Sequence, residues 1–237
     1  MTEPGLSRRD LLRFGVVGAP LLLANACGWD GGALIEPRLK AISRFNDKVG
    51  QALFRSSKLA PEYTVAERSR SMPTYWTADN TPVLDDPAAW RLSVGGLVRT
   101  PTLFTREMLE ALPSVTYTVK HHCVEGWTAV ATWTGVPLAT LARLVAPTDR
   151  AQYVRFDSFD DGYYNCWDLQ SAVHAQTILA YAFNGEPMNA ERGAPLRLYS
   201  PVKLGYKLTK YLTAVTFTDE KTGGYWEDKG YPWYGGV

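Results

Sequence analysis

The stretch Val115-Thr116-Tyr117-Thr118-Val119-Lys120-His121-His122-Cys123-Val124-Glu125-Gly126-Trp127 decides how the chain is read. Val115, Tyr117 and Val119 alternate with Thr116, Thr118 and Lys120, the two-residue period of a strand with one buried face. At its end one thiol stands between imidazoles and a carboxylate. A thiolate is a soft metal ligand, and Gly126 permits close backbone approach, so Cys123 is well placed to hold a soft metal.

On the C-terminal side, Pro137 stands where it can open a helix running to about Val145, since its missing N–H is no loss in a first turn. Tyr153–Ser158 alternates as a strand, Asp161-Gly162 supplies a turn, and a short helix is expected over Leu169–Val173. Ile178–Phe183 leads into Asn184-Gly185, a hairpin signal. Leu196–Tyr199 and Tyr211–Thr218 complete the strands.

On the N-terminal side, Thr105 caps a short helix, Arg106 to Leu112, that Pro113 stops. Trp90–Val98 reads as two strand pieces around Gly95-Gly96. Pro61, Pro73, Pro82 and Pro87 make residues 60–90 an ordered but irregular wrap. From Arg38 to Phe54, Leu39, Ile42, Phe45, Val49 and Leu53 recur at helical spacing, an amphipathic helix expected to pack against the core or a partner. Strands dominate without a regular strand–helix–strand rhythm, so the fold class is α+β, a β-rich mixed-sheet core with short helices.

A chain of 237 residues, 46% hydrophobic, is ample for one core and short for two. The net charge of +1 gives no electrostatic case for nucleic acid. Residues 1–26 read as a separate unit. Ser7-Arg8-Arg9-Asp10-Leu11-Leu12 is a twin-arginine pattern, followed by an apolar run from Phe14 to Leu23 and by Ala24-Asn25-Ala26-Cys27, the order of an export signal. The run is short of the roughly 20 residues that span a bilayer. Ala24-x-Ala26 suits an ordinary signal peptidase, and Cys27 suits lipid attachment; both readings stand. Removing these residues takes away Arg8, Arg9 and Arg13 against Glu3 and Asp10, which leaves a neutral mature chain.

The expected organisation is a signal peptide over 1–26, a stalk and amphipathic helix over 27–60, and one domain over 61–237. The expected location is the periplasm or the outer face of the cytoplasmic membrane, with the twin-arginine translocase as partner during export. In such an oxidising compartment a Cys123–Cys166 disulfide is an alternative use of the thiols. It would make the chain a non-enzymatic exported binding domain.

Together with Trp133-Thr134-Gly135-Val136-Pro137-Leu138, the Cys123 stretch resembles the molybdenum-binding segment of the sulfite-oxidase-like molybdopterin oxidoreductases, in particular their exported bacterial branch. A second match is Gly193-Ala194-Pro195-Leu196-Arg197-Leu198 with Pro201-Val202-Lys203-Leu204-Gly205-Tyr206-Lys207-Leu208-Thr209-Lys210-Tyr211, which looks like that family's pterin-phosphate segment. Order and spacing agree from about Trp90 onward. The resemblance implies the sulfite-oxidase molybdopterin-binding fold and a mononuclear molybdenum–molybdopterin cofactor with one pterin.

Carried onto this chain, Cys123 is the metal's protein ligand, and His122, with His121, donates to oxygens at the metal or substrate. Ser158, Arg192, Arg197, Lys207, Leu208, Thr209 and Lys210 hold the cofactor. The physics is sensible by itself: Arg197, Lys207 and Lys210 supply cations, and Gly205 lets backbone amides close on a phosphate. Arg192 departs from the family, which has His or Asn before Gly-Ala-Pro, and Arg68–Pro73 offers no residue to carry over. The aromatics of Gly223–Tyr231 read as packing that closes the domain.

No dinucleotide fingerprint, Walker motif or Cys-x-x-Cys pair occurs, so electrons must pass through a separate partner, a haem or flavin protein, soluble or membrane-bound. The implied reaction is a two-electron oxygen-atom transfer on a small sulfoxide-type or sulfite-type substrate. Histidines rather than arginines beside Cys123 favour a neutral one.

Overall fold

The structure, a computed structural model, describes residues 32–237; the twin-arginine pattern, both cleavage readings and Cys27 lie outside them. The chain divides into two compact units at Arg44/Phe45, and both sheets and the cavity lie in the second, Phe45–Val237.

Ten described strands make two five-stranded sheets. In the first, β3 (Val115–His122) pairs antiparallel with β4 (Thr128–Pro137), β4 with β7 (Ile178–Phe183), and β7 with both β8 (Glu186–Pro187) and β9 (Arg197–Tyr199). In the second the order is β2 (Thr102–Phe104), β1 (Leu92–Gly96), β10 (Leu212–Thr218), β5 (Tyr153–Ser158) and β6 (Tyr164–Asp168). There β1 and β10, at opposite ends of the domain's sequence, run parallel. That pairing closes the fold on itself. One cluster of buried side chains draws on both sheets: Trp133, Leu179 and Leu198 from the first, Val94, Phe156 and Val215 from the second. Each contributes on the order of 2 kcal/mol by leaving water.

The β3–β4 ribbon is pinned by its pairs. Thr116 and Thr118 share hydroxyl hydrogen bonds of 2.8 Å with Thr134 and Thr132, while Tyr117 and Val119 stand opposite Trp133 and Ala131. These cross-strand pairs fix the register that carries Cys123 to the end of the ribbon. Asn184 and Gly185, at φ 54° and 92°, make the expected hairpin turn after β7.

The short helices follow their signals. In α2 (Arg106–Glu110) the Thr105 hydroxyl accepts from Met108 N–H at 3.1 Å, and Pro137 leads into α3 (Leu138–Val145). The fourth helix, α4 (Leu169–Ala172), is capped by Asp168. Residues 60–90 form the irregular wrap, with two single 3-10 turns at Val65–Glu67 and Pro87–Ala89.

Two expectations are corrected, and two strands are added. Trp90–Val98 holds one strand, β1, not two pieces; it stops at Gly96, φ 83°, where any side chain would collide with the Phe217 carbonyl. Helix α1 (Gly32–Leu53) does not pack Phe45 and Leu53 against the core, one of the two expected uses of its stripe: they are 66% and 73% exposed. Strands β4 and β6 were not legible at all. Ala129, Ala131, Thr132 and Trp133 are buried on both sides of β4, as are Asn165, Cys166 and Trp167 in β6, so neither strand alternates.

Candidate active site

Strand parity decides which imidazole turns inward. His121 continues the face of Val119 and is 5% exposed; His122 continues the face of Lys120. Beyond the strand the chain turns tightly, with Cys123 N–H donating to the Trp127 carbonyl at 3.0 Å and Gly126 N–H to the Cys123 carbonyl at 3.1 Å. His121 and Cys123 both wall a cavity of about 360 Å³, and His122 does not. Of the two expected imidazoles, the one at the cavity is His121.

Arg192, Arg197, Leu208 and Lys210 wall the same cavity. The Arg197 guanidinium, on β9, donates to the Arg192 and Leu208 carbonyls at 2.9 and 3.3 Å and lies 4.9 Å from the Trp133 ring centroid. Arg192 donates to the Met72 carbonyl at 2.7 Å and lies over Phe183. Lys210 reaches Thr74 Oγ1 at 3.3 Å and the Glu191 carbonyl at 3.2 Å. Their hydrogen bonds go to carbonyls and one hydroxyl, and among the described residues none of the three pairs with a carboxylate. Burial first, and mutual repulsion after it, pushes Arg197 down to about 10 and Lys210 down to about 7. Burial likewise lowers Arg192. Three partly desolvated cations with no carboxylate in ion-pair contact, Asp160 and Glu191 acting on them only at longer range, form a site for an anion.

The thiol end differs. Burial pushes the Cys123 thiol up, and its sulfur lies 3.8 Å from Glu125 Oε2. That carboxylate is fixed by Trp127 Nε1 at 3.0 Å and by the Tyr75 hydroxyl. Burial, then the charge of Arg197, pushes His121 down to about 3, so the imidazole is neutral; its Nδ1 is buried without a partner. Gly205 makes room for that ring: a Cβ there would stand 2.8 Å from His121 Nε2. This is a different use of Gly205 from the expected phosphate contact.

Three further expected residues stand outside the cavity wall. The Ser158 hydroxyl donates to the Lys210 carbonyl at 2.8 Å and accepts from Asp160 N–H at 2.9 Å, closing the turn after β5. Lys207 is buried, ion-paired with Glu227 and donating to the Cys166 and Trp233 carbonyls at 3.1 and 2.7 Å. Its ammonium has no donor left for a phosphate. Thr209 is fully buried, and its carbonyl accepts from Leu198 N–H at 2.8 Å. The expected set thus separates: Cys123, Arg192, Arg197, Leu208 and Lys210 meet in one cavity, while His122, Ser158, Lys207 and Thr209 do not.

Two walls have no role in the sequence reading. Tyr75, Trp76 and Thr77 of the wrap line the cavity, held by Asp160, whose carboxylate accepts from Thr77 and Ala78 N–H at 3.0 and 3.1 Å. Trp226 and Tyr231 line it from the tail that was read as packing. Tyr206 ties that tail down, donating to the Pro232 carbonyl at 2.6 Å. The density of aromatics in both segments was the available signal. Cys123 and Cys166 are both free thiols, one at the end of β3 in the first sheet and one within β6 in the second, so the disulfide alternative is overturned.

Residues 78–226 match the family described as oxidoreductase molybdopterin binding domain. Over 232 residues, 97% of this chain and 88% of the relative, the sequence is 40% identical to the putative protein-methionine-sulfoxide reductase subunit YedZ1 of Azospira oryzae. It is 33% identical, over 59% of this chain, to the protein-methionine-sulfoxide reductase catalytic subunit MsrP of Xanthomonas axonopodis pv. citri, and covers 48% of that protein. The fold is similar to that of the sulfane dehydrogenase SoxCD from Paracoccus pantotrophus, with a TM-score of 0.55 at 22% identity, over 58% of this chain and 40% of that one.

Proposed function

The chain belongs to the oxidoreductase molybdopterin binding domain family and is a molybdopterin-binding oxidoreductase; from that premise we propose that it is an exported enzyme moving an oxygen atom to or from a small substrate in a two-electron reaction. The residues present fit the cofactor. A soft thiol, a neutral imidazole with an unpartnered buried nitrogen and three cations without a carboxylate suit an anionic group carrying a soft metal. Cys123 would supply the metal's protein thiolate, and Arg192, Arg197 and Lys210 would hold the pterin's phosphate. When bound, the cofactor supplies a metal centre that exchanges two electrons and an oxygen atom with the substrate.

The protein's own part is placement. His121, neutral, offers one ring nitrogen as donor and the other as acceptor without adding charge. Tyr75 and Trp127 hold the Glu125 carboxylate beside the thiol. The charged group beside Cys123 is the Glu125 carboxylate, which disfavours an anion such as sulfite and supports a neutral sulfoxide-type substrate. That two relatives are named as methionine-sulfoxide reductase subunits agrees with this choice and with a separate electron-transfer partner, a haem or flavin protein at or near the membrane. Export rests on the twin-arginine pattern at Arg8-Arg9, and lipid attachment at Cys27 on the residues before it.

The observation that carries the reading is that Cys123 and three carboxylate-free cations wall one cavity. The test is turnover of a small sulfoxide with a reduced dye as donor, beside sulfite with an artificial acceptor. Sulfoxide reduction that disappears in Cys123→Ser, and falls further in His121→Ala than in His122→Ala, is expected. Efficient sulfite oxidation with a strong loss in His122→Ala would contradict it.

A further inference from the structure

The second half of helix α1 is built the wrong way round for a helix packed on its own domain. At 100° per residue, Phe45, Val49 and Leu53 fall within an arc of about 80°, and Asp47 stands on the other side. It is the polar side that is docked: the Asp47 carboxylate accepts from Tyr234 N–H at 2.8 Å and from Gly235 N–H at 3.1 Å. The apolar stripe points away, with Phe45 66%, Val49 38% and Leu53 73% exposed. No other described stretch of helix presents three large exposed apolar side chains on one face.

The charge around the stripe is of one sign. Lys48 lies on its flank, and Arg55 and Lys58 follow within five residues of its end, all exposed. The carboxylate in this stretch, Asp47, is already engaged by backbone amides. An apolar stripe rimmed by cations matches the interface of an anionic bilayer, where the apolar side chains sink to the level of the acyl chains and the cations meet the phosphates. No described helix is long and apolar enough to cross a membrane, so a helix of this kind lies on the surface.

We propose that the Phe45–Val49–Leu53 face, with Lys48, Arg55 and Lys58, is a docking surface for an anionic lipid bilayer. The Phe45–Leu53 half of the helix lies flat on the membrane, held to its own unit at Asp47. This goes beyond the proposed reaction, because it needs neither the metal nor the substrate. It places the enzyme beside a membrane electron donor without any lipid on Cys27.

The test is flotation of the full exported chain carrying Cys27→Ser, which removes any lipid at that position, with vesicles of phosphatidylcholine alone or mixed with phosphatidylglycerol. Binding to the mixed vesicles is expected, weakened by salt. It should fall about tenfold in Phe45→Glu/Val49→Glu/Leu53→Glu, and also in Lys48→Glu/Arg55→Glu/Lys58→Glu. Molybdenum content should stay unchanged in both, and Cys123→Ser should float like its parent, so failure of the reaction leaves this result standing. No flotation of the parent, or equal flotation of the variants, overturns the proposal. So does a dimer of the parent that the apolar variant lacks, which would make the stripe a contact between two copies.

Discussion

Five cations lie between Arg192 and Lys210, and the structure treats them in two opposite ways. Arg192, Arg197 and Lys210 face a cavity and find carbonyls and a hydroxyl but no carboxylate. Lys203 and Lys207, from the same segment, are buried away from the cavity wall. Lys207 pairs with Glu227, and Lys203 lies 3.6 Å from Asp168 and donates to the Tyr234 carbonyl at 2.8 Å. The first group leaves positive charge exposed to a ligand, which costs stability and serves binding. The second neutralises its charge and ties the tail, through Glu227, Trp233 and Tyr234, onto the core. A basic segment is thus both a ligand site and a staple, and partner geometry alone separates the two.

The sharpest way to break that contrast is to remove a staple. Lys207→Met leaves Glu227 buried without its partner and should lower stability by about 3–5 kcal/mol in urea unfolding. Lys210→Met should do the reverse: little change in unfolding, and a loss of bound pterin of about tenfold in the purified protein, since one charge-assisted contact to phosphate is worth about 1.5–3 kcal/mol. If both variants lose stability and keep cofactor alike, the division between the two groups fails.

Protonation sharpens it further. Burial pushes Lys210 down to about 7, so above that pH it must take up a proton to meet an anion. Cofactor affinity should therefore weaken as pH rises from 7 towards 9, and Lys210→Arg should flatten the profile, measured as pterin released on dialysis. Lys203, also pushed down to about 7, acts on folding instead. The unfolded chain holds that proton up to about 10.4 and the folded one releases it near 7, so this lysine adds stability as pH rises from 7 through 9. The smallest effect is expected from Lys203→Met, within about 1 kcal/mol of the parent at neutral pH with a flatter pH dependence, because Asp168, unlike Glu227, still accepts from Ser171 N–H when its 3.6 Å lysine partner is gone.

What the sequence disclosed follows from how local each feature is. The β3 alternation, the Thr105 cap, the Pro137 helix start and the Asn184-Gly185 turn are set by neighbours within a few residues, and all are present. The parity that puts His121 and Cys123 on the inward side is in the same alternation, and it favours His121 over His122 at the cavity. Strand β6 and the fate of Lys207 were not available. Asn165, Cys166 and Trp167 are buried on both faces, and Glu227 comes 20 residues after the lysine it neutralises. The wrap 72–77 is held at the cavity by Asp160, Arg192 and Lys210, contacts more than 80 residues away in sequence, and by the Glu125 carboxylate on the Tyr75 hydroxyl. Chemistry carried by one strand end was legible; chemistry shared among distant loops was not.

The central claim is that Cys123 and the cavity it faces hold a molybdenum cofactor. The most direct test is elemental analysis of the exported protein beside its Cys123→Ser variant, with pterin measured on the same samples. The account predicts near-stoichiometric molybdenum in the parent and its loss in the variant, with unfolding stability little changed. No molybdenum in protein made by a host that synthesises the cofactor, or equal molybdenum in both proteins, would contradict it.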